Sequence, residues 1–148
     1  MDIVYNILAP QKISISELYE HYMAMDNAYV VKLSDRVDIK AYTSKVYNNA
    51  YLFTARLAGK LIGVVAIYYN LSPDYSFCTD VSVLPEYQGR YKIGSTLVKE
   101  SISFVRENGS AGVHLYADSY LEPYYEMMGF VTISKNQLSG ECHMLIKF

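Results

Sequence analysis

The 148-residue sequence predicts an α/β fold in a single domain, residues 1–148, with a mixed sheet carrying helices on its faces. Three observations predict it. Apolar residues fall at helical spacing through the first third and then gather into short strand-like runs. A strand, an amphipathic helix and a second strand follow in succession, the spacing of a right-handed parallel crossover. The last two apolar stretches, "GFVTISKN" and "ECHMLIKF", flank the turn "QLSG" as a closing hairpin.

Taken in order, "DIVYNILA" alternates weakly and reads as a first strand. "SISELYEHYMAMD" begins with Ser14 and Ser16, both candidate caps, and places Leu18, Tyr22 and Met25 on one helical face. Ser34 and Asp35 are candidate caps for a second helix, "DRVDIKAYTSKVYNNA", with Val37, Ala41 and Val46 inward. "YLFTARLAGKLIGVVAIYYN" is two strands folded around Ala58-Gly59, an antiparallel hairpin. "YSFCTDVSVL" is a third strand of the series, ending before Pro85. The helix after Lys92 turns Ile93, Leu97, Val98, Ile102 and Val105 inward and stops at Asn108-Gly109. "GVHLYAD" is a strand, "SYLEPYYEMM" a short helix broken near Pro123, and the hairpin closes the chain with "ECHMLIKF" as an edge strand able to pair between two subunits.

Composition narrows the function. Apolar residues make up 51% and charged residues 19%, a globular balance. The net charge of -2, without blocks of like charge, argues against nucleic acid as a partner. The longest apolar run, "LIGVVAIYY", is too short to cross a bilayer, and "MDIVYNILAP" lacks the pattern of a secretion signal. Cys78 and Cys142 therefore read as buried thiols of a cytoplasmic protein. No metal is expected: His21 and His143 lack partners at ligand spacing, and His114 reads as a core residue of its strand.

One stretch carries chemistry. "VLPEYQGRYKIGSTLV" ends a strand and opens a helix, with Gln88, Gly89, Arg90, Lys92 and Gly94 at the junction. Helix amino termini expose unpaired N–H groups, glycines let phosphate approach them, and the two cations add full charge. The spacing fits neither a Walker loop nor a dinucleotide fingerprint, so the pyrophosphate of another nucleotide remains, beside the plainer reading of a solvated turn.

With its preceding strand, this stretch resembles the acyl-CoA loop of the GCN5-related N-acetyltransferase (GNAT) superfamily, in which a strand ending Val-x-Pro leads through Gln/Arg-x-x-Gly-x-Gly/Ala into a helix. "YYEMMGF", Tyr124–Phe130, is similar to the second signature of that family. The loop here is one residue longer and lacks the middle glycine, which predicts a bulge at Tyr91-Lys92. A residue that is often Asn in the family is here Asp118, near the expected pantetheine arm.

The resemblance implies a mixed, mostly antiparallel sheet of about six or seven strands with about four helices. It implies acetyl-CoA as acyl donor, without a metal, and transfer of the acetyl group to a primary amine by direct attack. The backbone of Val81, Ser82 and Val83 would bond the pantetheine, and a main-chain N–H near Val83 would face the thioester oxygen. The amides of Gln88, Gly89, Arg90, Tyr91, Lys92, Ile93, Gly94 and Ser95 would cradle the pyrophosphate. Tyr125 matches the tyrosine that protonates the leaving sulfur, the alternative being core packing, with Tyr124 the expected core member of the pair. Asp80 is the candidate base. It could instead bond a neighbouring loop or bind the acceptor's ammonium, with a water chain moving the proton.

Cys78 shares the strand face of Asp80 and is read as packing. The acceptor, a small-molecule or protein amine, would lie among Tyr22, Tyr42, Tyr47, Tyr68 and Tyr69, with Glu17, Glu20, Asp26 and Asp38 giving a mildly acidic surround. A homodimer is compatible with the chain. The alternative function is an acyl-CoA-sensing module of the same fold that has lost turnover.

Overall fold

The computed structural model describes residues 2–26 and 33–148, the last group from the backbone alone at Leu33. Its seven strands are β1 (Ile3–Leu8), β2 (Tyr51–Leu57), β3 (Lys60–Tyr68), β4 (Ser76–Val83), β5 (Gly112–Ala117), β6 (Val131–Lys135) and β7 (Cys142–Lys147). They form one mixed, mostly antiparallel sheet in the order β1-β2-β3-β4-β5-β7-β6. The helices among the described residues are α1 (Ile15–Met25), α2 (Leu33–Arg36), α3 (Ile39–Asn49), α4 (Ile93–Glu107) and α5 (Glu122–Glu126). None of them is long and apolar enough to cross a membrane.

The contacts divide the chain into two compact units, Met1–Ala66 with Asp80–Val98, and Ile67–Thr79 with Lys99–Phe148. In the first, β1 and β2 pair antiparallel with Ile3 opposite Leu57 and Leu8 opposite Leu52. Ala58 and Gly59 both adopt positive φ, the geometry a two-residue hairpin needs to match strand twist. Ser14 caps α1 by accepting from the Glu17 N–H, and Leu18, Tyr22 and Met25 are buried. Leu18 and Tyr22 are fully enclosed, and burial of such side chains contributes roughly 1.5–3 kcal/mol each.

The second helix begins later than Ser34 and Asp35 suggested. Asp38 caps α3 at the Ala41 N–H, and Leu33–Arg36 is a separate turn of helix. The later start rotates the inward face, so Ile39, Thr43 and Val46 are buried while Ala41 is exposed and Val37 half-buried.

Gly63 on β3 marks a close approach. A Cβ there would stand 3.0 Å from Ile93 Cγ2 and 3.1 Å from Leu97 Cδ1, so the missing side chain seats the first turns of α4 against the strand.

In the second unit, β4 and β5 pair in parallel at Ser76 and Phe77, while β5 and β7 run antiparallel from Gly112–Lys147 to Ala117–Cys142. The sequence "ECHMLIKF" is therefore an inner strand, with β6 outside it, and offers no free edge for a second subunit. Its side chains explain the position, since Cys142 and Met144 are fully buried whereas β6 is mostly exposed. Pro123 does not break a helix. A 3-10 turn covers Ser119–Leu121, and Pro123 sits in the first turn of α5, where its missing N–H costs nothing. Cys78 and Cys142 are free, buried thiols.

Candidate active site

The strand-to-helix junction is built from the end of β4, a 3-10 turn at Pro85–Tyr87, a short loop and α4. Leu84 donates its N–H to the Ile62 carbonyl, so that N–H faces β3, while its carbonyl accepts from the Tyr87 N–H. Alternation then turns the N–H and C=O of Val83 and Val81 away from β3. The Val83 carbonyl on that edge accepts the Gln88 Nε2 amide at 2.8 Å. Gln88 is also spent at its backbone, where its N–H reaches the Pro85 carbonyl. The donor run therefore opens at Gly89, not at Gln88.

From Gly89 through Ser95, no hydrogen bond among the described residues takes up a backbone N–H. The first turn of any helix leaves such groups over, and here the preceding loop extends the run. Gly89, Tyr91 and Lys92 have φ of 72°, 56° and 52°. The bulge predicted from the additional residue is thus a consecutive left-handed pair at Tyr91-Lys92. For side-chain-bearing residues this costs about 1–2 kcal/mol each, and alternation of backbone handedness makes concave clusters of N–H groups that suit anions. Arg90 and Lys92 are exposed and form no ion pair among the described residues. A Cβ on Gly89 would meet nothing within 4 Å, so the backbone there is open to a ligand. These groups fit the pyrophosphate of acetyl-CoA by donor count, charge and access.

Asp80 is half-buried on β4. Its Oδ2 accepts from the buried Ser82 hydroxyl at 2.7 Å, and Ser82 Oγ lies 2.8 Å from His21 Nε2 on α1. Sequence reading set His21 aside and gave Ser82 only a backbone role. A link across 61 positions has no local signature. Burial drives the His21 imidazole down to about pH 4, with Glu17 opposing weakly. His21 Nδ1 is buried without a hydrogen-bond partner. Glu17 is itself clasped by Arg56 on β2 through contacts of 2.6 and 2.5 Å, a pairing that holds the carboxyl below its ordinary range.

This burial has a consequence for stability. The folded value for His21 lies below the unfolded value of about 6.5, so between those two pH values the unfolded chain takes up a proton that the folded one refuses. Stability should fall as pH drops from about 6.5 towards 4, by about 3 kcal/mol in all from this group. Urea unfolding of wild type beside His21→Gln at pH 7 and pH 4 measures it: the variant should lack that part of the acid loss. Equal losses in the two would contradict the assignment.

Beside His21 the first unit contains a cavity of about 390 Å³, lined by Glu17, Glu20, His21, Ala24, Lys60, Leu61, Leu84, Pro85 and Glu86. The tyrosines expected to line an acceptor site are not among these residues. Tyr22 is fully buried and packs against Tyr42 at 5.4 Å between centroids, and the Tyr69 hydroxyl donates to the Asn108 carbonyl.

The second unit holds Asp118 and Tyr125. Asp118 is half-buried and precedes the 3-10 turn without capping it by its side chain. Tyr125, 6% exposed, is the buried member of its pair, and Tyr124 is half-buried, the reverse of the expectation. The short helix gives the reason: Tyr125 lies edge-on to Phe130 at 5.8 Å, inside the turn that the Phe130 N–H closes onto the Tyr125 carbonyl. His114 is not solitary on its strand. Its Nδ1 lies 2.9 Å from His143 Nε2, and His143 stacks on Tyr116 at 4.3 Å. Among the described residues no group of three or more His, Cys, Asp or Glu is placed to hold a metal.

Known proteins place these features in a family. The fold is similar to that of the PaiA N-acetyltransferase of Thermoplasma acidophilum, solved in complex with coenzyme A, at a TM-score of 0.71 and 19% identity over 100% of both chains. It is similar to a GNAT family acetyltransferase of Brucella melitensis, solved in complex with acetyl-CoA, at 0.75 and 20%, covering 99% of this chain and 88% of that one. Escherichia coli ElaA gives 0.76 and 16%, covering 99% and 100%. At such identities the likeness is one of fold. No curated protein sequence matches the chain. The family model described as an acetyltransferase (GNAT) domain matches residues 17–145, most of the chain, from the first turn of α1 into β7. With that span matched, the chain belongs to the GNAT acetyltransferase family.

Proposed function

We propose that the protein transfers an acetyl group from acetyl-CoA to a primary amine. One observation carries the reading: the uncommitted N–H run from Gly89 to Ser95, with exposed Arg90 and Lys92 beside it. These groups would hold the pyrophosphate and a further phosphate. The edge of Val81 and Val83 would bond the pantetheine amides as an added strand, and Asp118 would flank that arm. Bound acetyl-CoA supplies the thioester carbon that the amine attacks.

The chain's own groups manage the protons. An alkyl ammonium has no lone pair and titrates near 10, so Asp80 serves as the base that receives its proton. The Val83 N–H donates to the thioester oxygen as it gains negative charge. Tyr125 gives its hydroxyl proton to the sulfur as the C–S bond breaks and the N–C bond forms, and recovers one from the nitrogen. Glu20 and Glu86 of the cavity suit the cationic end of the acceptor.

Thiol release from acetyl-CoA, measured over a panel of alkyl and aryl amines, tests the reading. Turnover should appear with at least one amine, and Tyr125→Phe should lower kcat by about 10²-fold with KM for acetyl-CoA unchanged. Tight acetyl-CoA binding with no thiol release from any amine would favour the sensing module instead.

A further inference from the structure

We propose that His21 and Ser82 form a directional hydrogen-bond chain that orients Asp80 and keeps it ionised, making both of them positioning residues. Counting protons gives the direction. A serine hydroxyl has one hydrogen, and Ser82 directs it at Asp80 Oδ2. Its oxygen can then meet His21 Nε2 only as an acceptor, so the imidazole carries its proton on Nε2 and donates at 2.8 Å. The bare nitrogen is Nδ1, the atom that is buried without a partner. The opposite tautomer would take the Ser82 proton from Asp80 and bury an orphaned N–H as well, two losses in place of the single bare acceptor at Nδ1.

The chain therefore reads imidazole N–H to hydroxyl to carboxylate. Each bond polarises the next, and donation to a carboxylate favours its charged form. The geometry is rigid. Ser82 is 2% exposed, His21 is 4% exposed, and α1 is pinned at its first turn by the Glu17–Arg56 pair. His21 stays neutral across the neutral pH range, so it donates without competing for the proton that Asp80 receives.

Other ionisable groups among the described residues stand near this chain. Glu17 faces His21 from α1 and is balanced by Arg56 on β2. Glu20, Lys60 and Glu86 share the adjoining cavity with His21. Cys78 lies on the β4 face of Asp80 as a buried thiol.

The catalytic meaning of this chain rests on the acetyl-transfer reading, but its effect on Asp80 can be read without turnover. The experiment is a 13C NMR titration of the Asp80 carboxyl carbon, identified by its loss in Asp80→Asn, in wild type, Ser82→Ala, His21→Phe and His21→Gln. Ser82→Ala should raise the Asp80 midpoint by about one pH unit, and His21→Phe should raise it by less. His21→Gln, which can present an N–H where Nε2 stands, should restore the wild-type value. The acid limb of kcat/KM should move with the NMR midpoint, while KM for acetyl-CoA stays fixed. An Asp80 midpoint identical in wild type, Ser82→Ala and His21→Phe overturns the proposal, whatever the activity. Wild-type protein that releases no thiol while the midpoints shift as stated overturns the acetyl-transfer reading and leaves the chain standing.

Discussion

Asp80→Asn should lower kcat of acetyl transfer by about 10²- to 10⁴-fold, the range for loss of a general base. The amide is isosteric and can still meet the Ser82 hydroxyl, so the fold and acetyl-CoA affinity should be retained. What disappears is the acceptor for the ammonium proton. Raising the pH should partly rescue the variant, because the fraction of amine already neutral grows tenfold per unit below its pKa. The pH profile of kcat/KM in wild type and variant checks this. A variant with wild-type turnover at pH 7 would show that a water chain or another group takes the proton.

The second large effect is on stability. A Cβ on Gly112 would lie 2.2 Å from the Ile146 carbonyl oxygen and 2.9 Å from Tyr75 Cδ1. Neither side has slack: the carbonyl belongs to β7, whose ladder with β5 begins at Gly112–Lys147. Gly112→Ala must open that ladder or displace Tyr75, and should cost about 3 kcal/mol or more. Gly59→Ala is a suitable contrast. Its Cβ would meet nothing within 4 Å, and only the strain of φ 80° remains, about 1 kcal/mol. Urea denaturation of both variants measures the difference. Comparable losses would mean that β7 yields readily at Ile146.

Much of this architecture is written in local pattern. The Ala58-Gly59 hairpin, the inward face of α4 and the closing hairpin follow from period and turn residues, which act within a few positions. The additional loop residue announces a bulge at Tyr91-Lys92, and the structure supplies its left-handed conformation. Three features escaped for physical reasons. Asp38 outcompetes Ser34 and Asp35 as a cap because the helix it starts buries Ile39 and Val46, a tertiary outcome. The inner place of β7 depends on which strand lies beyond it, and "GFVTISKN" and "ECHMLIKF" are alike in local signal. The His21–Ser82–Asp80 chain joins a helix near one end of the sequence to a strand in its middle, and only packing brings those residues within hydrogen-bond distance.

The N–H run ahead of α4 is the foundation of the functional account, so acetyl-CoA binding tests it most directly. Calorimetry of purified protein should show micromolar affinity for acetyl-CoA, and Gly89→Glu should abolish it by placing a carboxylate where the pyrophosphate charge would sit. The fold should survive, since the Gly89 Cβ direction is open and only the strain of φ 72° remains, about 1 kcal/mol. Affinity unchanged in Gly89→Glu, or absent in the wild type, would contradict the placement of the pyrophosphate on residues 89–95.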